Sequence, residues 1–128
     1  MLVEEEPLRI GKIKKKVERT LGFSFPGDRS LLVSQTYLDE LARRKPNAYL
    51  AYIEEASSIV SDPDFVSFEI EKETLTYYRT YFDKDFVVVG VTFIPMGVPK
   101  QWNLVSLKKN PFVEGEVKRV KEIKPKKD

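Results

Sequence analysis

Glu40, Arg43, Arg44 and Lys45 put one carboxylate and three cations into a single short stretch. On a helix, Glu40 and Arg44 share a face because residues four apart are neighbours there. Pro46 pushes Lys45 out of the helical region, so this stretch ends at a corner. A carboxylate beside fixed cations has the parts that phosphoryl chemistry needs without a metal. The carboxylate accepts a proton from a hydroxyl, and the cations offset the charge that develops around phosphorus. Arg adds a planar fork that binds two phosphate oxygens at once. The same spacing also makes an ordinary ion pair, with cations placed favourably at a helix C-terminus.

Two further groups could contact a substrate. Tyr77, Tyr78, Arg79 and Tyr81 lie in a run that alternates like a strand, with Tyr77, Arg79 and Tyr81 on one face and Tyr78 on the other. Aromatics with an interleaved Arg can stack bases, or they can pack across strands with the Arg at the rim. Trp102, Asn103 and Ser106 follow a Pro/Gly loop, where the Asn and Ser could hydrogen-bond a phosphate or ribose. Alternatively, Trp102 is a core anchor and the polar pair lines the solvent side.

The composition excludes much else. The chain has 128 residues, no His and no Cys. Ser-His-Asp and Cys-His catalysis are therefore out, as are disulfides and thiolate zinc sites. Any enzyme here works with Glu, Asp, Lys, Arg, Tyr, Ser or water. Asp62-Pro63-Asp64 lacks the loop of a calcium hand, and Gly90 and Gly97 are too isolated for a phosphate loop. No metal and no cofactor are expected. The longest apolar stretch, residues 86–94, falls short of the roughly 20 residues a spanning helix needs. A cytoplasmic protein without membrane contact is the expectation.

The net charge of +2 is unevenly spread. Residues 1–20 carry six basic and four acidic groups, residues 21–107 carry eight and twelve, and residues 108–128 carry eight and four. A basic tail beside an acidic body could be a weak hook for nucleic acid or simply a solvated end.

These groups need a scaffold, and the hydrophobic period supplies one. Ile10, Ile13, Val17 and Leu21 suggest a short amphipathic helix that stops at Gly22, after an extended piece at 8–10. Phe25-Pro26-Gly27-Asp28 is a turn, and residues 31–33 are a short apolar strand or bridge. Ser34 or Thr36 can cap a helix over 35–44, with Tyr37, Leu38, Leu41 and Ala42 inward. Asn47 can cap a second helix running to about residue 60. The period then switches to two, giving strands over 66–71, 75–82, 86–94 and 102–107, with a turn at 83–85 and a loop at 95–101. Helices followed by a strand meander predict an α+β domain, with N-terminal helices on one face of a roughly four-stranded antiparallel sheet. Residues 8–112 form the single domain. Residues 113–128 form a basic, flexible tail, frayed or partly helical from about 115.

The order of pieces resembles the phage and mobile-element nuclease-like domains of the barnase–EndoU–colicin–RelE superfamily. The resemblance covers about residues 8–107. It is carried by Ile10-Gly11-Lys12-Ile13, by Val33 and a helix ending Arg44-Lys45-Pro46, by Tyr52-Ile53, Ile59-Val60 and Asp62-Pro63-Asp64-Phe65, and by Asn103 after the meander. It implies metal-independent RNA cleavage, in which the ribose 2′-hydroxyl attacks the adjacent phosphate. The family motif ends Arg-His-Pro; here Lys45 stands at the His, and Glu40 stands where an earlier His is common. The last strand reads Asn103-Leu104-Val105-Ser106 in place of Asn-Ser. An active enzyme would then use Glu40 as base, Lys45 as stabiliser or proton donor, Arg44 as phosphate clamp, and Tyr78 or Tyr77 as stacker or acid. Arg43, Arg79, Trp102, Asn103 and Ser106 would bind substrate. The alternative is an inactive member of the fold that binds RNA or a protein. RNA and a protein of immunity or antitoxin type are the expected partners.

Overall fold

In the computed structural model, the described residues are 7–82, 86–97, 100–111 and 117–120. The chain opens with strand β1 (Leu8–Lys12), which takes Ile10 out of the expected helix. Helix α1 (Lys15–Leu21) buries Val17 and ends at Gly22 in the left-handed conformation that glycine adopts at least cost (φ 70°). Strand β2 (Ser30–Val33) follows, and the Asp28 carboxylate turns the chain into it by accepting the Ser30 N–H at 2.8 Å. Helix α2 (Gln35–Arg44) starts at Ser34, whose hydroxyl accepts the Tyr37 N–H at 3.2 Å. Helix α3 (Tyr49–Ser61) begins at Ala48 without a side-chain cap, so Asn47 does not play the expected part.

Strands β3 (Phe65–Glu69), β4 (Thr74–Phe82), β5 (Phe86–Met96) and β6 (Gln101–Lys109) form the meander. The expected turn at 83–85 lies outside the described residues.

The expected four-stranded antiparallel sheet is overturned. Among the described residues, the sheet has seven strands in the order β1-β2-β6-β5-β4-β3-β7, where β7 is Lys118–Arg119. It is mixed, because β2 runs parallel to β6 through Leu31↔Trp102 and Leu32↔Asn103. The meander is its middle; the three extra strands are short segments whose partners lie far away in the chain. Local periodicity shows that such segments are extended but not which edge they join. The sequence reads 118–119 as tail, whereas these residues add to the β3 edge through Phe65↔Arg119 and Val66↔Lys118.

One face of the sheet packs on the helices. Val66, Tyr77, Val91, Phe93 and Leu104 join Val17, Leu41, Ile53, Ala56 and Ile59 in one core cluster. Gly11 lies against α3, where a Cβ would sit 3.0 Å from a Val60 methyl. On the opposite face, a Cβ on Gly90 would meet the Pro111 ring at 2.9 Å and Tyr78 at 3.4 Å. Glycine there lets the segment after β6 fold back over the sheet, where Asn110 N–H donates to Val88 O at 2.6 Å. Among the described residues, no helix is long and apolar enough to cross a membrane.

Candidate functional site

Strand alternation and register build a polar site on the helix-free face. Ser67, Thr76, Thr92 and Ser106 stand directly opposite one another across β3, β4, β5 and β6. The next row reads Phe65, Tyr78, Gly90 and Lys108. Hydroxyls on adjacent strands are close enough to pair, and they do. Ser67 Oγ lies 3.1 Å from the Tyr78 hydroxyl, and Thr76 Oγ1 lies 3.1 Å from Thr92 Oγ1. Ser67, Thr76 and Tyr78 are buried although, among the described residues, no helix covers this face.

A cavity of about 340 Å³ opens over the row, lined by Ser67, Glu69, Lys72, Thr74, Thr76, Tyr78 and Thr92. The β3–β4 hairpin supplies its charges. Glu69 and Lys72 form an ion pair at 3.8 Å, and the Thr74 hydroxyl donates to Lys72 O at 3.1 Å. The pocket therefore offers a carboxylate, an ammonium, a phenol and four aliphatic hydroxyls. Hydroxyls both donate and accept, which suits a sugar–phosphate ligand whose atoms do both.

The residues singled out from the sequence do not gather in one place. Glu40, Arg43, Arg44 and Lys45 are exposed at the end of α2, on the helix-covered side. Lys45 Nζ stands 5.5 Å from the centroid of the Tyr52 ring. Beneath it, the Tyr37 and Tyr52 hydroxyls are 2.9 Å apart, and Tyr52 also accepts the Leu107 N–H at 2.8 Å, which ties α2 and α3 to β6. Burial pushes the Tyr37 phenol above its ordinary range, and the Tyr52 hydrogen bond adds to that.

Tyr78 lies on the opposite face of the sheet from that corner, so the structure does not bring it together with Glu40, Arg44 and Lys45. Tyr77 is fully buried in the core. Among the described residues its hydroxyl is buried without a hydrogen-bond partner, and burial, with a smaller contribution from the Glu18 charge, raises its pKa above the ordinary range. It is a packing residue.

Arg79 serves the end of α3. Its guanidinium donates to Ser58 O and Asp62 O at 2.8 Å each and to Ser58 Oγ at 2.8 Å, and it lies 3.5 Å from the Asp62 carboxylate. Asp62 O lies at the helix end, where carbonyls lack intrahelical partners, while Ser58 O also accepts the Asp62 N–H at 3.2 Å and the Ser61 hydroxyl at 2.8 Å. Trp102 is buried edge-on against Phe25 and Phe68, at centroid distances of 5.4 and 6.0 Å. Asn103 donates to Gln101 O at 2.9 Å. Ser106 ends the hydroxyl row opposite Thr92.

Ser67, Glu69, Lys72, Thr76 and Thr92 were not singled out from the sequence. Their alternation with Val66, Phe68 and Leu75 was visible, but the row depends on register. The shift between Thr92 and Phe93 realigns β6, so that Ser106 faces Thr92 while Leu104 faces Phe93. That irregularity has no local sequence signal. Comparison with known proteins finds no family model, curated protein or solved structure that matches the chain.

Proposed function

We propose that the chain is an RNA-binding module and that the helix-free face of its sheet holds the sugar–phosphate backbone. The carrying observation is the hydroxyl row Ser67–Thr76–Thr92–Ser106, with Glu69 and Lys72 lining the same cavity. RNA presents a 2′-hydroxyl that both donates and accepts, and proteins recognise it through such contacts. Lys72 supplies charge for a phosphate, and Glu69 is an acceptor for a ribose hydroxyl. A role in binding suits a chain without His, because holding a backbone requires no group that titrates near neutral pH.

Cleavage is the second reading, and one observation favours it: Glu69, Lys72 and Tyr78 line one cavity. In that reading the Glu69 carboxylate accepts the proton of the 2′-hydroxyl, and the 2′-oxygen attacks phosphorus. Lys72 offsets the charge on the non-bridging oxygens, and Tyr78 gives a proton to the departing 5′-oxygen. This moves the chemistry away from Glu40, Arg44 and Lys45.

The test uses a labelled RNA dodecamer and its 2′-deoxy counterpart with the full chain at low salt. The expected result is tighter binding to RNA, weakened roughly tenfold by Lys72→Ala. Products ending in a 2′,3′-cyclic phosphate, abolished by Glu69→Gln, would establish cleavage. Equal affinity for the two oligomers, or no effect of Lys72→Ala, would sink the assignment of this face.

A further inference from the structure

The two terminal regions hold the chain's positive balance, and the fold brings the described segments α1 and β7 of these regions together. Helix α1 and strand β7 pack side by side. Lys16, Arg19 and Thr20 of α1 line a cavity of about 580 Å³ with Arg119 of β7. Arg19 also lines a second cavity of about 580 Å³, with Lys15, Arg29 and Phe23. Phe23 in turn lines a third, aromatic cavity of about 260 Å³ with Phe25, Phe68 and Trp102. The three cavities follow one another as neighbours, with Arg19 lining the first two and Phe23 the last two, and together they make the trough. This trough is separate from the hydroxyl row, which occupies the other face of the sheet.

The chemistry along the trough is graded. Among the described residues, its cationic part contains the basic side chains of Lys15, Lys16, Arg19 and Arg29 and the carboxylate of Glu18, while the Arg119 guanidinium lies 5.5 Å from the Phe65 ring on the other face. That carboxylate is already engaged, since Arg29 Nε lies 2.8 Å from it and the Phe25 N–H donates to it at 3.0 Å. Burial alone would raise its pKa, but these hydrogen bonds outweigh burial and hold it below the ordinary carboxylate range. At the aromatic end, Phe23, Phe25 and Phe68 pack at centroid distances of 4.9 to 5.1 Å. Lys100 and Glu73 pair at 3.4 Å on its rim and offer a donor and an acceptor. The aromatic cavity is below the roughly 300–1,000 Å³ of drug-sized pockets, which is the scale of one ring system. Cations that track a backbone, next to rings on which a base can stack, are the two parts of a single-strand site. In a duplex the base faces are covered by their neighbours and could not enter the aromatic end.

We propose that this trough binds single-stranded nucleic acid, with phosphates along Lys15, Lys16 and Arg19 and an unpaired base in the Phe23–Phe68–Trp102 pocket. The proposal does not depend on the sheet-face reading.

Trp102 is the only Trp in the chain, so its fluorescence reports on the aromatic pocket. The full chain is titrated with oligouridylate, oligothymidylate and an abasic oligomer of equal length, at several salt concentrations. Base-bearing oligomers are expected to change Trp102 emission, and the abasic one is not. The RNA and DNA arms identify which strand the trough prefers. Arg19→Ala should weaken binding roughly tenfold and lower the log–log salt slope by about one. Phe23→Leu keeps apolar volume without a ring; it should abolish the emission change while leaving the salt slope intact. Thermal unfolding confirms that each variant is folded. The proposal is overturned if the abasic oligomer binds as tightly as the others, or if no oligomer changes the emission. Tighter binding to anionic vesicles or to an acidic aromatic peptide would also overturn it. So would binding that responds to Lys72→Ala but not to Arg19→Ala or Phe23→Leu, an outcome that leaves the sheet-face reading standing.

Discussion

On the helix-covered face, the row Val66, Tyr77, Val91, Leu107 crosses β3 to β6; one residue along, on the other face, the row is Ser67, Thr76, Thr92, Ser106. Both rows include buried residues, since Val66 and Tyr77 are 0% exposed and Ser67 and Thr76 only 8% and 7%. The same backbone therefore supports two kinds of interior. The apolar row is held by filled volume, where each lost methyl leaves a void. In the hydroxyl row, Ser67 pairs with Tyr78 and Thr76 with Thr92, so losing one oxygen of a pair leaves the other polar group unpaired. Depth alone does not tell the two rows apart; the chemistry left facing the opening does.

This contrast can be broken by substitution. Phe93 is fully buried on the helix-covered face and packs edge-on against Tyr77, so Phe93→Ala should cost about 3–5 kcal/mol in urea unfolding. A loss under about 1 kcal/mol would mean that this face is not the core. Arg79→Ala removes a cation that holds the carbonyls at the end of α3 and should cost about 2 kcal/mol, with RNA affinity unchanged. A large fall in affinity without loss of stability would restore Arg79 as a binding residue.

The hydroxyl row predicts non-additivity. Thr76→Val or Thr92→Val alone leaves the other oxygen without its 3.1 Å partner and should cost about 1 kcal/mol. The double variant should cost less than the sum of the two; simple additivity would argue that the pair is not a unit. The smallest effect belongs to Tyr77→Phe, which removes a buried hydroxyl that has no partner among the described residues. Stability should hold or rise by about 1 kcal/mol, and a drop measured by thermal melting would show that the hydroxyl has a partner in solution.

Much of the scaffold was legible. The helix over 35–44 came from its apolar stripe and its Ser34 cap, and Gly22 marked the end of α1. The switch to period two located β3 to β6. The candidate site was less legible. Glu40, Arg44 and Lys45 attracted attention because they are adjacent in the chain, whereas Glu69, Lys72 and Tyr78 share a cavity only after a hairpin closes. Arg79 looked like a substrate-binding residue among its tyrosines because nothing local shows that it reaches back to Ser58 and Asp62.

The amino-acid sequence by itself determined the helices, the meander and the chemistry that is ruled out, because periodicity, caps and composition act over a few residues. The absence of His and Cys holds in any fold. Only the tertiary structure decided which residues meet. Leu31 joins Trp102 in the parallel pair of β2 and β6, Arg119 comes beside α1, and four hydroxyls align across four strands. Such meetings depend on strand register and on pairings between distant segments. A one-residue slip would turn each hydroxyl to the other face, and no local pattern carries that information.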